Sequence, residues 1–180
     1  MNCLAILPLL LFSAAPAAPA PPVRESIEWA NIWITGGDRS DLPKVLLIGD
    51  SIAVGYYQRV ADALKDKADC CRLSTSKSLG DPAYLEEVKL VVSQYPFAVI
   101  HFNNGLHGWG YTEEQYQEAF PKLLALLRQA APQAKLIWAT TTPVPSGGNL
   151  SPTRPLTWPA RAVQDCVCAR RVSVPAALML

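Results

Sequence analysis

The sequence predicts a three-layer α/β domain built on a parallel sheet. Three observations point there. Continuous apolar runs recur at "KVLLIG" (44–49), "FAVIHFNN" (97–104) and "KLIWATTT" (135–142), the pattern of strands covered on both faces. Helical apolar stripes separate these runs. Strand then helix then strand, repeated, implies parallel pairing through right-handed crossovers.

Taken in order, residues 21–43 show no strong periodicity, and "TGGDRSDLP" within them reads as a loop. The first apolar run closes on Gly49, Asp50 and Ser51. From Tyr57 onward, Val60, Ala61, Leu64 and Ala68 fall on one helical stripe, and "CRLST" (71–75) is a weaker strand candidate. Asp81 is placed as an N-cap with Pro82 at N1, opening a helix whose apolar set includes Tyr84, Val88, Val91 and Tyr95. Thr112 and Gln115 have capping-box spacing ahead of Tyr116, Phe120, Leu123, Leu124 and Leu127, and Pro121 is expected to kink or split that helix. No internal repeat is visible.

With 180 residues, half of them hydrophobic, the chain has material for one core and one domain. A formal charge of +1 and the absence of charge runs give no reason to expect nucleic acid as a partner. Residues 1–20, "MNCLAILPLLLFSAAPAAPA", read as a signal peptide: Leu4 to Phe12 is too short to span a bilayer, and small residues follow up to Ala20. A buried N-terminal helix is the competing reading, and Pro16, Pro19, Pro21 and Pro22 argue against it. The organisation expected is therefore a signal peptide (1–20), an N-terminal extension (21–43), an α/β domain (44–145) and an irregular Pro- and Arg-rich tail (146–180). The mature chain would be secreted or periplasmic and not held by a membrane.

Export would leave Cys70, Cys71, Cys166 and Cys168 in an oxidising compartment. A disulfide link between the two pairs and free thiols both remain open. A metal site is disfavoured, since C-C and C-x-C lack the usual C-x-x-C spacing and no His lies near either pair. No cofactor is expected: neither a P-loop nor a G-x-G-x-x-G occurs.

Ligands of open parallel sheets bind outside the carboxyl ends of the strands. Three stretches follow predicted strands there: Ser51 after the first, "SKSLGDP" with Gly80 after the second, and "NNGLHGWG" with Gly105 and His107 after the third. Gly-Asp-Ser alone is a weak signal, because Ser51 in that position equally suits a helix cap. The lipase-type G-x-S-x-G elbow is not met, with Ala53 in place of the second Gly.

Together, "LLIGDSIAVGY", "SLGDPAYL", "VIHFNNGLHGWG" and "KLIWATTTPVP" resemble the SGNH (GDSL-type) hydrolase family over about residues 44–145. The resemblance implies a flavodoxin-like α/β/α esterase in which Ser51 is the nucleophile and the N–H groups of Ser51 and Gly80 are oxyanion donors. The family's third donor is usually the Asn of a G-x-N-D block. Here Gly105, Leu106, His107 and Gly108 align with it, so His107 is expected to donate in its place, with Asn103 or Asn104 as alternatives. Asp50, Asn104 and Trp109 are expected to bind substrate, a small-molecule or polysaccharide ester, with Tyr56 and Tyr57 beside Trp109 at the pocket mouth. His101 is expected to be a packed core residue.

The family's base comes from a C-terminal D-x-x-H block. No His follows His107, and Asp165 is the only later acidic residue. The C-terminal part of the domain is accordingly expected to be incomplete, as in a truncated hydrolase, with "RRVSVPAALML" as the remnant of a last strand and "KLIWATTT" as an exposed, association-prone edge. Two functional readings follow. One is an exported ester hydrolase whose base is His107 or a group from another chain; the other is an inactive relic or ligand-binding protein with the same fold.

Overall fold

The structure, a computed structural model, describes residues 21–105, 107, 110–139 and 167–168. The expected signal peptide, Trp109, Cys166 and nearly all of the tail, including "RRVSVPAALML", lie outside the described residues.

Among the described residues nine elements follow one another: β1 (Ala30–Trp33), β2 (Lys44–Gly49), α1 (Ser51–Ala63), β3 (Asp69–Thr75), α2 (Pro82–Val92), β4 (Phe97–Phe102), α3 (Glu113–Ala130), β5 (Lys135–Trp138) and β6 (Val167–Cys168). They form one six-stranded sheet in the order β1-β3-β2-β4-β5-β6. From β2 to β6 every pairing is parallel, whereas β1 runs antiparallel to β3 with Ala30 opposite Thr75. The sheet is therefore mixed, not purely parallel. Strand β1 went unrecognised in the sequence because all four of its residues are exposed, which leaves no alternation to read.

Strand register sorts the side chains onto two faces. Leu46, Ile48, Cys71, Leu73, Ile100, Phe102, Leu136 and Trp138 share one face and join the core with Tyr84, Val88 and Val91 of α2 and Phe120, Leu123 and Leu127 of α3. Each such side chain removed from water contributes about 1.5–3 kcal/mol. On the opposite face α1 packs through Tyr57, whose hydroxyl donates to the Cys70 carbonyl at 3.0 Å and whose ring lies 4.7 Å beneath the Arg72 guanidinium. Helices on both faces of the sheet make three layers.

Several local expectations shift. Helix α1 begins at Ser51, six residues before Tyr57, because Asp50 caps it. Helix α3 is not split by Pro121. Pro121 and Gln117, whose carbonyl loses its helical donor, both lie on the exposed face, where water can serve that carbonyl. Tyr56 and Tyr57 turn toward the sheet, Tyr56 packing edge-on against His101 at 5.8 Å and Tyr57 bonding the Cys70 carbonyl. His101 is half-buried rather than enclosed in the core, and burial lowers its pKa. The outer edge of β5 is not wholly bare, since Val167 and Cys168 pair with Ile137 and Trp138.

At the amino end of the strands, buried Asp69 binds Arg39 (2.6 Å) and Lys44 (3.3 Å), and Lys44 also donates to the carbonyls of Gly36 and Arg39. This cluster fixes the loop after β1. Cys70 and Cys71 are buried free thiols, and burial pushes the Cys70 thiol up to about 11. That keeps it protonated and unreactive at neutral pH.

Candidate functional site

Strand β2 ends at Gly49 under a tight constraint. A Cβ there would stand 2.6 Å from the Ala53 Cβ and 2.7 Å from the Asn103 carbonyl oxygen, so α1 and the end of β4 close in on this position together. The next residue, Asp50, is fully buried in extended backbone geometry, and its carboxylate accepts the Ile52 N–H at 2.9 Å. That cap places Ser51 as the first residue of α1, exposed at the carboxyl edge of the sheet. Helix N-termini favour developing negative charge. Asp50, expected to bind substrate, is instead enclosed and engaged in capping.

The loop after β3 lies beside this edge. Ser78 organises it: its carbonyl accepts the Asp81 N–H at 2.9 Å and its hydroxyl accepts the Gly80 N–H at 3.3 Å. Asp81 caps α2 by accepting the Ala83 N–H at 2.8 Å. A Cβ on Gly80 would come within 2.7 Å of the Tyr111 ring, so this residue can carry no side chain while that ring is in place.

The segment after β4 ties the loops together. Asn103 donates its N–H to the Ile48 carbonyl at 2.9 Å, continuing the β2–β4 pairing to within three residues of Ser51. Asn104 is buried, accepts the Leu79 N–H at 2.8 Å and donates to the Lys77 carbonyl at 2.9 Å. Both ends of its amide thus hold the Gly80 loop. Tyr116 reaches from α3 to donate to the Asn104 carbonyl at 2.6 Å, and burial pushes its phenol pKa up.

His107 lies further along the same segment. Its Nδ1 is 2.8 Å from the Glu25 carboxylate and its ring meets Trp29 edge-on at 5.8 Å. Nε2 is enclosed and has no hydrogen-bond partner among the described residues.

Glu25 and Trp29 belong to a part of the site that sequence reasoning missed: residues 23–29 cross the carboxyl edge as a strap. The Val23 N–H donates to the Tyr111 hydroxyl (3.1 Å), Arg24 pairs with Asp81 (2.8 Å), Glu28 pairs with Lys77 (3.1 Å), and Trp29 and Ser76 exchange hydrogen bonds. The only sequence signal for it was the clustering of Arg24, Glu25, Glu28 and Trp29 ahead of a strand that was itself illegible. A cleft of about 70 Å³ lies between the strap, the Ser76–Asp81 loop and Tyr111.

Ser51, Gly80 and His107 therefore follow the adjacent strands β2, β3 and β4 at one edge, and Asn104 and Trp29 bond the second and third loops together. At that edge the Ser51 residue is exposed, while the Gly80 N–H is engaged by Ser78 and the His107 Nδ1 by Glu25. Among the described residues, no group of three or more His, Cys, Asp or Glu side chains is gathered as a metal site.

No protein-family model matches the chain, and no curated protein matches it significantly. Solved structures do. A carbohydrate esterase family 2 enzyme plus carbohydrate-binding domain from Corynascus thermopiles (Myceliophthora fergusii) is 19% identical, with 84% of this chain and 52% of that one covered and a TM-score of 0.44. A family two carbohydrate esterase from Clostridium thermocellum, in complex with cellohexaose, is 18% identical over 60% of this chain and 45% of that one, with a TM-score of 0.42. A GDSL-like lipase from Parabacteroides merdae is 15% identical over 58% and 62%, also at 0.42. The chain spans about half the length of these neighbours.

Proposed function

We propose that this protein is an exported serine esterase acting on carboxylic esters. Ser51 attacks the acyl carbon. The N–H groups of Ser51 and Gly80 receive the charge that develops on the acyl oxygen, and the segment 103–107 supplies a third donor, with Asn103 and His107 as its candidates. The observation that carries this reading is the bonded junction at the sheet edge: Asn104 holds the Gly80 loop while Asn103 abuts Gly49, two residues before Ser51.

For the alcohol portion we propose a carbohydrate, with a short acyl group such as acetyl. This is the class carried in the names of the fungal and clostridial neighbours. Export rests on the sequence of residues 1–20; among the described residues no helix is long and apolar enough to cross a membrane.

A second reading keeps the fold without turnover, as a relic or ligand-binding protein. It is favoured by the engagement of the Gly80 N–H with Ser78 and by the enclosed Nε2 of His107. Hydrolysis of short-chain aryl esters by the mature chain separates the two. The esterase reading predicts turnover that falls by up to about 10⁶ in Ser51→Ala. A rate equal to that of Ser51→Ala would leave the binding reading.

A further inference from the structure

We propose that Glu25 is the positioning carboxylate for His107, and that the pair supplies the base for Ser51 from the amino-terminal strap. This rests on the esterase reading above.

The argument starts from the proton inventory. An ionised carboxylate can only accept, so the 2.8 Å contact between Glu25 and Nδ1 makes Nδ1 the protonated nitrogen of the neutral ring. Nε2 then carries the lone pair. In that tautomer His107 leaves the third oxyanion donor to Asn103, the other candidate named above, and can itself take a proton from a hydroxyl. Nε2 has no partner among the described residues, so its lone pair is uncommitted.

The surrounding charges single out Glu25. Arg24 is paired with Asp81 and Glu28, Lys77 with Glu28 and Glu87, and Asp50 is enclosed at the α1 cap. Among the described residues Glu25 alone of the strap's carboxylates has no Arg or Lys partner; its partner is the His107 ring. The strap is fastened on both sides of Glu25, at Val23 and Arg24 before it and at Glu28 and Trp29 after it, and the Trp29 ring stands edge-on to the imidazole.

In the step this implies, the Ser51 hydroxyl proton passes to Nε2 as Oγ bonds to the acyl carbon and the carbonyl pair moves onto oxygen. Collapse breaks the ester C–O bond, and the departing alkoxide takes the proton from Nε2. Water then attacks the acyl-enzyme, giving its proton to Nε2, and the proton returns to Ser51 Oγ as the acid leaves. Glu25 stays ionised throughout and holds the imidazolium. Nε2 and Ser51 are not hydrogen-bonded to each other in this structure, and such bonds characteristically tighten in the substrate complex.

The test combines kinetics and spectroscopy on the mature chain. Glu25→Gln should lower kcat for a short-chain aryl ester at least about tenfold with KM little changed, and Glu25→Asp should restore part of the loss. Nitrogen-15 NMR of the two histidines, with His101→Gln to assign them, should show the Nδ1–H tautomer at His107 in the parent and a mixture in Glu25→Gln. Parent activity that Ser51→Ala abolishes but Glu25→Gln leaves intact overturns the base pair while sparing the esterase reading. An Nε2–H tautomer in the parent overturns it independently of activity. No turnover and no reaction of Ser51 with a phosphonate in the parent would sink both.

Discussion

The side-chain oxygen of Asn104 accepts the Leu79 N–H at 2.8 Å, while its amide nitrogen donates to the Lys77 carbonyl at 2.9 Å. One buried residue at the end of β4 thereby sets the position of the loop after β3. Asn104→Ala strands the Leu79 N–H, a loss of about 1–3 kcal/mol. Asn104→Asp keeps the acceptor but sets a buried carboxylate oxygen against the Lys77 carbonyl, so it should cost at least as much. Urea denaturation of the three chains checks the order.

Gly80 and Tyr111 share one space. Gly80→Ala pushes the Tyr111 ring, and Tyr111 holds the strap through the Val23 N–H at 3.1 Å. The single substitution should destabilise the chain, whereas adding Tyr111→Ala removes the clash. A double-mutant cycle should give a coupling of about 1 kcal/mol or more, the sign showing that the pair is less damaged than the sum of the singles. Additive losses would mean that Tyr111 moves aside freely.

The Arg39–Asp69–Lys44 cluster gives the fold an acid sensitivity. The hydrogen bond from Arg39 holds the Asp69 carboxyl below the usual carboxylate range, Lys44 acts in the same direction, and burial opposes them. The unfolded carboxyl titrates near about 3.9. Above that value the stabilisation is complete, and it is lost as pH falls through the lower folded value. Asp69→Asn should cost roughly 3 kcal/mol at neutral pH by leaving Lys44 unpaired, and should flatten the acid limb of stability against pH. A parallel limb in the variant would assign the acid loss to other groups.

How far the sequence could be read depends on burial. Strands β2, β4 and β5 were legible because both of their faces are largely covered, which forces continuous apolar runs at 44–49, 97–102 and 135–138. The helix starts at Pro82 and Glu113 were legible because Asp81 and Thr112 cap by local chemistry. Strand β1 was not, since exposure on all its residues removes the period. The Glu25–His107 contact was not either: 82 positions separate the partners, and only the antiparallel placement of β1 beside β3 carries the strap to the carboxyl edge. Asn104 could be placed at the site from its strand, but nothing in the sequence told a ligand contact from a loop clamp.

The central claim is that Ser51 is a nucleophile held beside oxyanion donors at this edge. It is tested most directly by treating the mature chain with a serine-reactive phosphonate and locating the adduct by peptide mass spectrometry. The account predicts one adduct, on Ser51, absent from Ser51→Ala and retained when the exposed Ser93 is replaced by Ala. An unmodified Ser51, or labelling spread equally over exposed serines, would contradict it.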